Sequence, residues 1–226
     1  IRDLVIEQVE AQTGRDCQLQ DIEIGWIDGI TLRGLRIAGE GDAPPLLAAD
    51  ELSLEVDLRA LLEKRLVIER VWIQGAALHI VRAPGGGGGG FAVVGRQTHI
   101  RDASIHYRDP ARDIDTAWSI PRLTLTGSDI NGPMRLSGVF APQNDAPGGT
   151  ITVDGELDML EDDRLAAEPT AAVRVTLEAC ALPAVLAQLG IATEPRFMAG
   201  TVDGTLEITC KGRTLAMPKS ELRFQA

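Results

Sequence analysis

The amino-acid sequence predicts a mainly-β fold: a curved, mostly antiparallel, trough-like sheet of at least eight strands, with an N-terminal helix and short crossing helices. Two observations carry that expectation. Apolar and polar residues alternate with period two in stretch after stretch, the pattern of strands with one dry and one wet face. Only three short segments keep helical spacing, and they are too few to cover so much apolar sheet.

Ile1 to Gln12 reads as a helix through Ile1, Leu4, Val5, Val9 and Gln12, and Thr13-Gly14 closes it. Cys17 to Trp26 alternates through Cys17 and Leu19, then Ile22, Ile24 and Trp26. Its phase slips by one between Leu19 and Ile22, which predicts a bulge or a bend. Asp28-Gly29 signals a hairpin, and Ile30 to Ile37 is the return strand, slipping phase at Gly34. After a loop from Gly39 to Pro45, Leu52, Leu54, Val56 and Leu58 alternate with Glu51, Ser53, Glu55 and Asp57. Arg59 to Arg65 breaks that alternation and reads as a short helix. Leu66 to Val81 resumes the strand pattern through Ile68, Val71, Ile73, Leu78 and Ile80.

Gly85 to Gly90 has no side chains to bury and reads as a flexible linker. It is either natural in a Gly- and Ala-rich chain or an engineered replacement for a longer loop. It divides the chain into residues 1–84, a helix plus a first sheet unit, and residues 91–226, a continuation of the sheet. It is not a phosphate-binding loop, because no Lys-Ser/Thr follows it. Strands then resume at Gln97 to Tyr107, Ala117 to Leu125, Met134 to Phe140, Thr150 to Met159, Ala171 to Leu177, Gly200 to Cys210 and Glu221 to Phe224. Turn signals at Asp109-Pro110, Asn131-Gly132, Pro142 to Gly149, Pro169 and Gly212 separate them, and such short connections favour an antiparallel meander. Leu182 to Gly190 is the third helical segment.

Aromatic residues make up only 4% of the chain, and the dry positions are mostly Leu, Ile and Val. Aliphatic walls suit flexible acyl chains, although a plain aliphatic core has the same composition. With 33 acidic and 22 basic residues the net charge is −11, which argues against a nucleic-acid partner and against lying flat on an anionic leaflet. The three cysteines have no metal-site spacing, and Cys17 and Cys210 fall at apolar positions of alternating runs, as buried thiols do. No stretch reaches the roughly 18 apolar residues of a membrane-spanning helix. There is no signal peptide, and the chain opens at Ile1 in mid-helix pattern, as a trimmed sequence would.

The polar constellations carry no catalytic pattern. Asp102, Ser104 and His106 share one side of a strand, but residues two apart there lie about 7 Å from one another, and no nucleophile elbow surrounds Ser104. His79, His99 and His106 have no metal-ligand spacing, and Asp154, Asp158 and Glu161 to Asp163 do not match a cation loop. The expectation is a protein that is not an enzyme and has no cofactor.

The run Ala49-Asp50-Glu51-Leu52 through Arg82 has the order A-x-E-L-x-L-x-V, then R-A-L-L, then L-x-I-x-R-V-x-I-x-G-A-x-L-x-I-x-R. A later unit, LPAVLAQLG followed by MAGTVDGTLEITCKG, is a helix pattern and then spaced glycines in a strand. Together they resemble the AsmA-like proteins of Gram-negative bacteria, over most of Ile1 to Gly212. That resemblance implies a periplasmic repeating-β-groove lipid carrier, anchored in the inner membrane by a helix preceding Ile1. It would carry phospholipid between inner and outer membranes and contribute to outer-membrane homeostasis.

The apolar positions expected to line the groove are Leu52, Leu54, Val56, Leu58, Ile68, Ile73, Leu78, Ile80, Ile105, Leu123 and Leu125. The rival expectation is a closed β-sandwich that serves protein interaction or assembly in the cell envelope without lipid cargo.

Overall fold

The computed structural model describes residues 2–25, 29–39, 41, 43–57, 68–81, 96–110, 114–127, 132–142, 149–161, 164–181, 200–212 and 214–225. Leu58, the helical segments expected at Arg59 to Arg65 and Leu182 to Gly190, and the glycine run Gly85 to Gly90 all lie outside the described residues.

The described chain forms one helix, α1 (Arg2–Thr13), and thirteen strands. The strands are β1 (Cys17–Gln18), β2 (Asp21–Gly25), β3 (Gly29–Ile37), β4 (Leu47–Val56), β5 (Ile68–Gln74), β6 (Ala77–Val81), β7 (Gln97–Asp109), β8 (Ile114–Gly127), β9 (Met134–Pro142), β10 (Thr150–Glu161), β11 (Arg164–Ala181), β12 (Thr201–Lys211) and β13 (Thr214–Gln225). All thirteen belong to one curved, mostly antiparallel sheet in the order β1-β3-β4-β5-β7-β8-β9-β10-β11-β12-β13, with β2 beside β3 and β6 between β4 and β7. The sheet does not close into a barrel. The described strands are therefore not divided between the two sheets of a sandwich.

The helix ends where the sequence requires it. Gly14 takes a positive φ of 65° and donates its N–H to the Glu10 carbonyl at 2.7 Å, closing the last turn. Val5, Ile6 and Val9 pack on a buried cluster of Cys17, Leu19, Leu32, Leu35, Leu52 and Val71. The Cys17 N–H donates to the Glu10 carboxylate at 2.9 Å and ties the helix to β1. Complete burial of a Leu or Val side chain contributes about 1.5–3 kcal/mol, so this cluster anchors the first strands.

Two departures from the sequence pattern matter. The run Leu66 to Val81, expected as one strand, is two strands broken at Gly75. Both pieces pair with β7 in parallel, Ile73 opposite Ile100 and Leu78 opposite Ile105, where the pattern favours antiparallel neighbours. A parallel pair needs a crossover of about a dozen residues or more, and residues 82–95 supply that length.

Four strands also shift phase along one line, which passes through the break between β5 and β6. On β3, β4, β7 and β8 the dry positions are three residues apart rather than two: Leu32 and Leu35, Ala49 and Leu52, Ile100 and Ala103, Ile120 and Leu123. Gly34 (φ 61°), Gly75 (φ 62°) and Asp102 (φ 51°) sit on that line in left-handed conformation. A Cβ on Gly75 would come within 2.0 Å of the Asp50 carboxylate, so a larger residue there would have to displace Asp50 as well as hold a left-handed backbone. The resulting crease bends the sheet while keeping the apolar residues on one side; Leu32 and Leu35 share a single buried cluster.

Pro169, expected as a turn, lies inside β11. It sits at the register shift between Asp158 and Leu160 of β10, and its carbonyl accepts the Gly212 N–H at 2.8 Å. Pro121 and Pro218 fall at register shifts too, where a residue without an N–H costs the ladder least.

Candidate functional site

Residues directly opposite one another on paired strands share a face, so the register reads out each face of the sheet. One row runs Leu32, Leu52, Ile73, Ile100, Leu123, Gly138, Val153, Val175 and Leu206, one residue from each strand from β3 to β12 except β6. The next row on the same face runs Ile30, Leu54, Val71, Thr98, Leu125, Leu136, Gly155, Val173 and Ile208. With strands spaced about 4.8 Å apart, the first row is roughly 38 Å long measured along the sheet. Beyond the crease the face continues as Leu47, Leu78, Ile105 and Trp118.

The sequence-predicted positions therefore come together. Leu52, Leu54, Ile73, Leu123 and Leu125 lie in the two long rows, and Leu78 and Ile105 lie in the row past the crease. Ile80 stands opposite Tyr107 on that side and is 39% exposed. Val56 and Ile68 face each other at a register shift at the end of β4 and β5. The pattern missed Ile100, Leu136, Val153, Val173, Val175 and Leu206. Their alternation was visible, but which strands adjoin β4 and β5 was not.

The face is covered unevenly. Leu32 and Leu52 are buried beneath the end held by α1, whereas Ile73, Ile100, Leu123, Val153, Val175 and Leu206 are half-exposed. A second buried cluster, Ile151, Leu177, Cys180 and Val202, lies further along at β8 to β12, and Trp118, Phe140, Val153, Val175 and Leu206 pack against it.

The opposite face is wet. Its matching row is Thr31, Ser53, Trp72, His99, Thr124, Ser137, Asp154, Arg174, Glu207 and Lys219. Cross-strand ion pairs lie on it: Arg70 with Glu55 at 3.3 Å, Arg135 with Asp154 at 3.4 Å and Arg174 with Glu207 at 3.0 Å. Arg33 sits among Asp21, Glu23 and Glu51, and its hydrogen bond to Glu23 holds the guanidinium more firmly protonated than usual. These pairs are exposed and screened, so they contribute little stability, but they keep this face hydrated.

The polar constellations are each engaged separately. His106 pairs with Asp115 and meets the His79 ring edge-on at 5.7 Å, while the Asp102 carboxylate accepts from Gln74 at 2.7 Å. His99 stacks on Trp72 with ring centroids 6.2 Å apart. Among the described residues no three His, Cys, Asp or Glu side chains gather as a metal site would need. Burial raises the thiol pKa of Cys17 and of Cys180; Cys210 is half-exposed.

Two clefts, of about 530 and 600 Å³, lie off the long apolar rows. The first is lined by the Arg70, Glu55, Arg96 and Glu69 pairs, and the second lies where α1 meets β1 and β3. No described helix is long and apolar enough to cross a membrane. No family model matches the chain, and no curated protein matches it.

Proposed function

We propose that this chain is a lipid-binding and lipid-transfer module of the AsmA-like kind, holding phospholipid acyl chains along its apolar face. The observation that carries the reading is the partly exposed apolar row from Ile73 to Leu206, of which Ile100 and Leu123 belong to neither buried cluster. Aliphatic surface left in water across so many strands is costly, and soluble monomers rarely keep large apolar patches without a use for them. Each methylene withdrawn from water is worth about 0.8 kcal/mol, so ten methylenes supply about 8 kcal/mol before ordering costs.

No headgroup contact is needed for that energy, so cargo selection by lipid class is weak. The wet face keeps the loaded sheet soluble. In this reading the protein performs no catalysis, needs no cofactor, and works in the periplasm from an inner-membrane anchor, serving outer-membrane homeostasis.

The test is native mass spectrometry with solvent extraction of the purified chain. Co-purifying phospholipid, exchangeable with labelled lipid from vesicles, is the expected result. A lipid-free chain that takes up none from vesicles contradicts the proposal.

A further inference from the structure

The strand register brings together two histidines that lie far apart in the sequence. His79 on β6 stands directly opposite His106 on its parallel neighbour β7, and both take the wet face beyond the crease. Each is half-exposed. Their rings meet edge-on, with centroids 5.7 Å apart and planes turned by 68°.

One nitrogen of each ring is already engaged. His79 Nδ1 lies 3.0 Å from the Pro45 carbonyl, which only accepts, so Nδ1 carries the proton and Nε2 keeps its lone pair. His106 Nε2 donates to Oδ1 of the Asp115 carboxylate, so Nδ1 of the neutral ring keeps the lone pair. Asp115 is held in turn by Arg108, whose Nε is 3.8 Å from Oδ2. A carbonyl or carboxylate on the far nitrogen is the support that orients a metal-binding imidazole, fixes its tautomer and raises its basicity.

We infer that His79 and His106 form a chelating pair for a divalent transition metal of the Zn²⁺, Ni²⁺ or Cu²⁺ class, bound through Nε2 of His79 and Nδ1 of His106. The distances agree. An ion about 2.0–2.1 Å from each nitrogen lies about 3.2 Å from each ring centroid, so two imidazoles on a tetrahedral ion have centroids about 5.2 Å apart. The 5.7 Å seen here is close to that, and small side-chain rotations close the gap. The ring planes agree too. A shared ion must lie in both planes, which rings stacked face to face do not allow and rings turned by 68° do. His99 gives the contrast, since it stacks on Trp72 at 23°.

No third protein ligand joins the pair among the described residues, so water completes the coordination and the site is open and weaker than a closed four-ligand one. Imidazole nitrogen suits this class of metal, whereas Mg²⁺ and Ca²⁺ take oxygen ligands. The net charge of −11 favours a cation overall, although Arg108 opposes one locally. A bound ion would tie β6, a strand of five residues, to β7. The inference stands whether or not the apolar face carries lipid.

Isothermal titration of the tag-free, metal-free chain with ZnCl₂ tests it. The chain has only three histidines, so His99 serves as an internal control. The wild type should bind one Zn²⁺, and excess Mg²⁺ should not displace it. His79→Ala and His106→Ala should each weaken binding at least tenfold with unchanged circular dichroism, and His99→Ala should leave it as it was. Electron paramagnetic resonance of the Cu²⁺-loaded wild type gives an independent reading and should show two imidazole nitrogens on the metal. A wild type that binds no Zn²⁺, displacement by Mg²⁺, binding indifferent to either His79→Ala or His106→Ala, an equal loss on His99→Ala, or a Cu²⁺ spectrum without two imidazole nitrogens would each overturn the inference.

Discussion

The β1–β5 end of the sheet and the β7–β12 run carry the same kind of apolar row but differ in what lies over it. At the first end Val5, Ile6 and Val9 of α1 pack against the buried cluster that includes Leu32, Leu52 and Val71, and Val71 is 0% exposed. Along the second, Ile100, Leu123, Val153, Val175 and Leu206 continue the row half-exposed. Val153, Val175 and Leu206 border a second buried cluster, while Ile100 and Leu123 belong to neither cluster, so the row is folding core at its first end and partly open surface midway. Sequence alternation alone does not separate the two, because it reports that one face of a strand is dry and not what keeps it dry.

The largest expected effect of this difference is on stability. Leu52→Ala removes a side chain that is 5% exposed and should cost about 2–5 kcal/mol in urea unfolding. Leu123→Ala, at a half-exposed position of the same row, should cost about 1 kcal/mol, since less surface returns to water and solvent fills the gap. Equal losses at the two positions would mean that the uncovered run is as much a core as the covered one.

Much of this was legible in the residues. Every strand expected from Gln97 onward is present, although β11 and β13 extend well before the expected Ala171 and Glu221, and the phase slips at Leu19–Ile22 and at Gly34 mark real bends. The crease across β4, β7 and β8 left a signal of the same kind, an apolar-polar-polar-apolar spacing at Ala49–Leu52, Ile100–Ala103 and Ile120–Leu123. Asp102 hid it on β7, because an aspartate in left-handed backbone looks like any other wet residue. The parallel pairing of β5 and β6 with β7 was not legible at all. Period-two alternation is identical for parallel and antiparallel neighbours, and the connecting length permits either. Half of the candidate face was missed for that reason: the strands were recognised but their neighbours were not.

A smaller effect tests whether the helix is the cause of burial at the covered end. Glu10→Ala deletes the carboxylate that accepts the Cys17 N–H and should cost about 1 kcal/mol. Burial first, and the Glu10 charge second, raise the Cys17 thiol pKa, so its neutral form contributes stability that is complete below the unfolded thiol's pKa and is lost as pH rises through the raised value. Glu10→Ala should therefore speed thiol labelling of Cys17 while leaving the buried Cys180, in the distant cluster, as slow as before. Parallel acceleration at both thiols would show global loosening instead of a displaced helix.

The central claim is that the β7–β12 run is an open lipid-bearing surface, and Ile100→Asp tests it most directly. Ile100 stands mid-row between Ile73 and Leu123 and is half-exposed, so a carboxylate there can stay hydrated without unfolding the sheet. Bound phospholipid per chain, quantified beside circular dichroism for the wild type and this variant, should fall severalfold with the β spectrum unchanged. Loss of the fold on Ile100→Asp, together with a wild type that holds no lipid, would contradict the account.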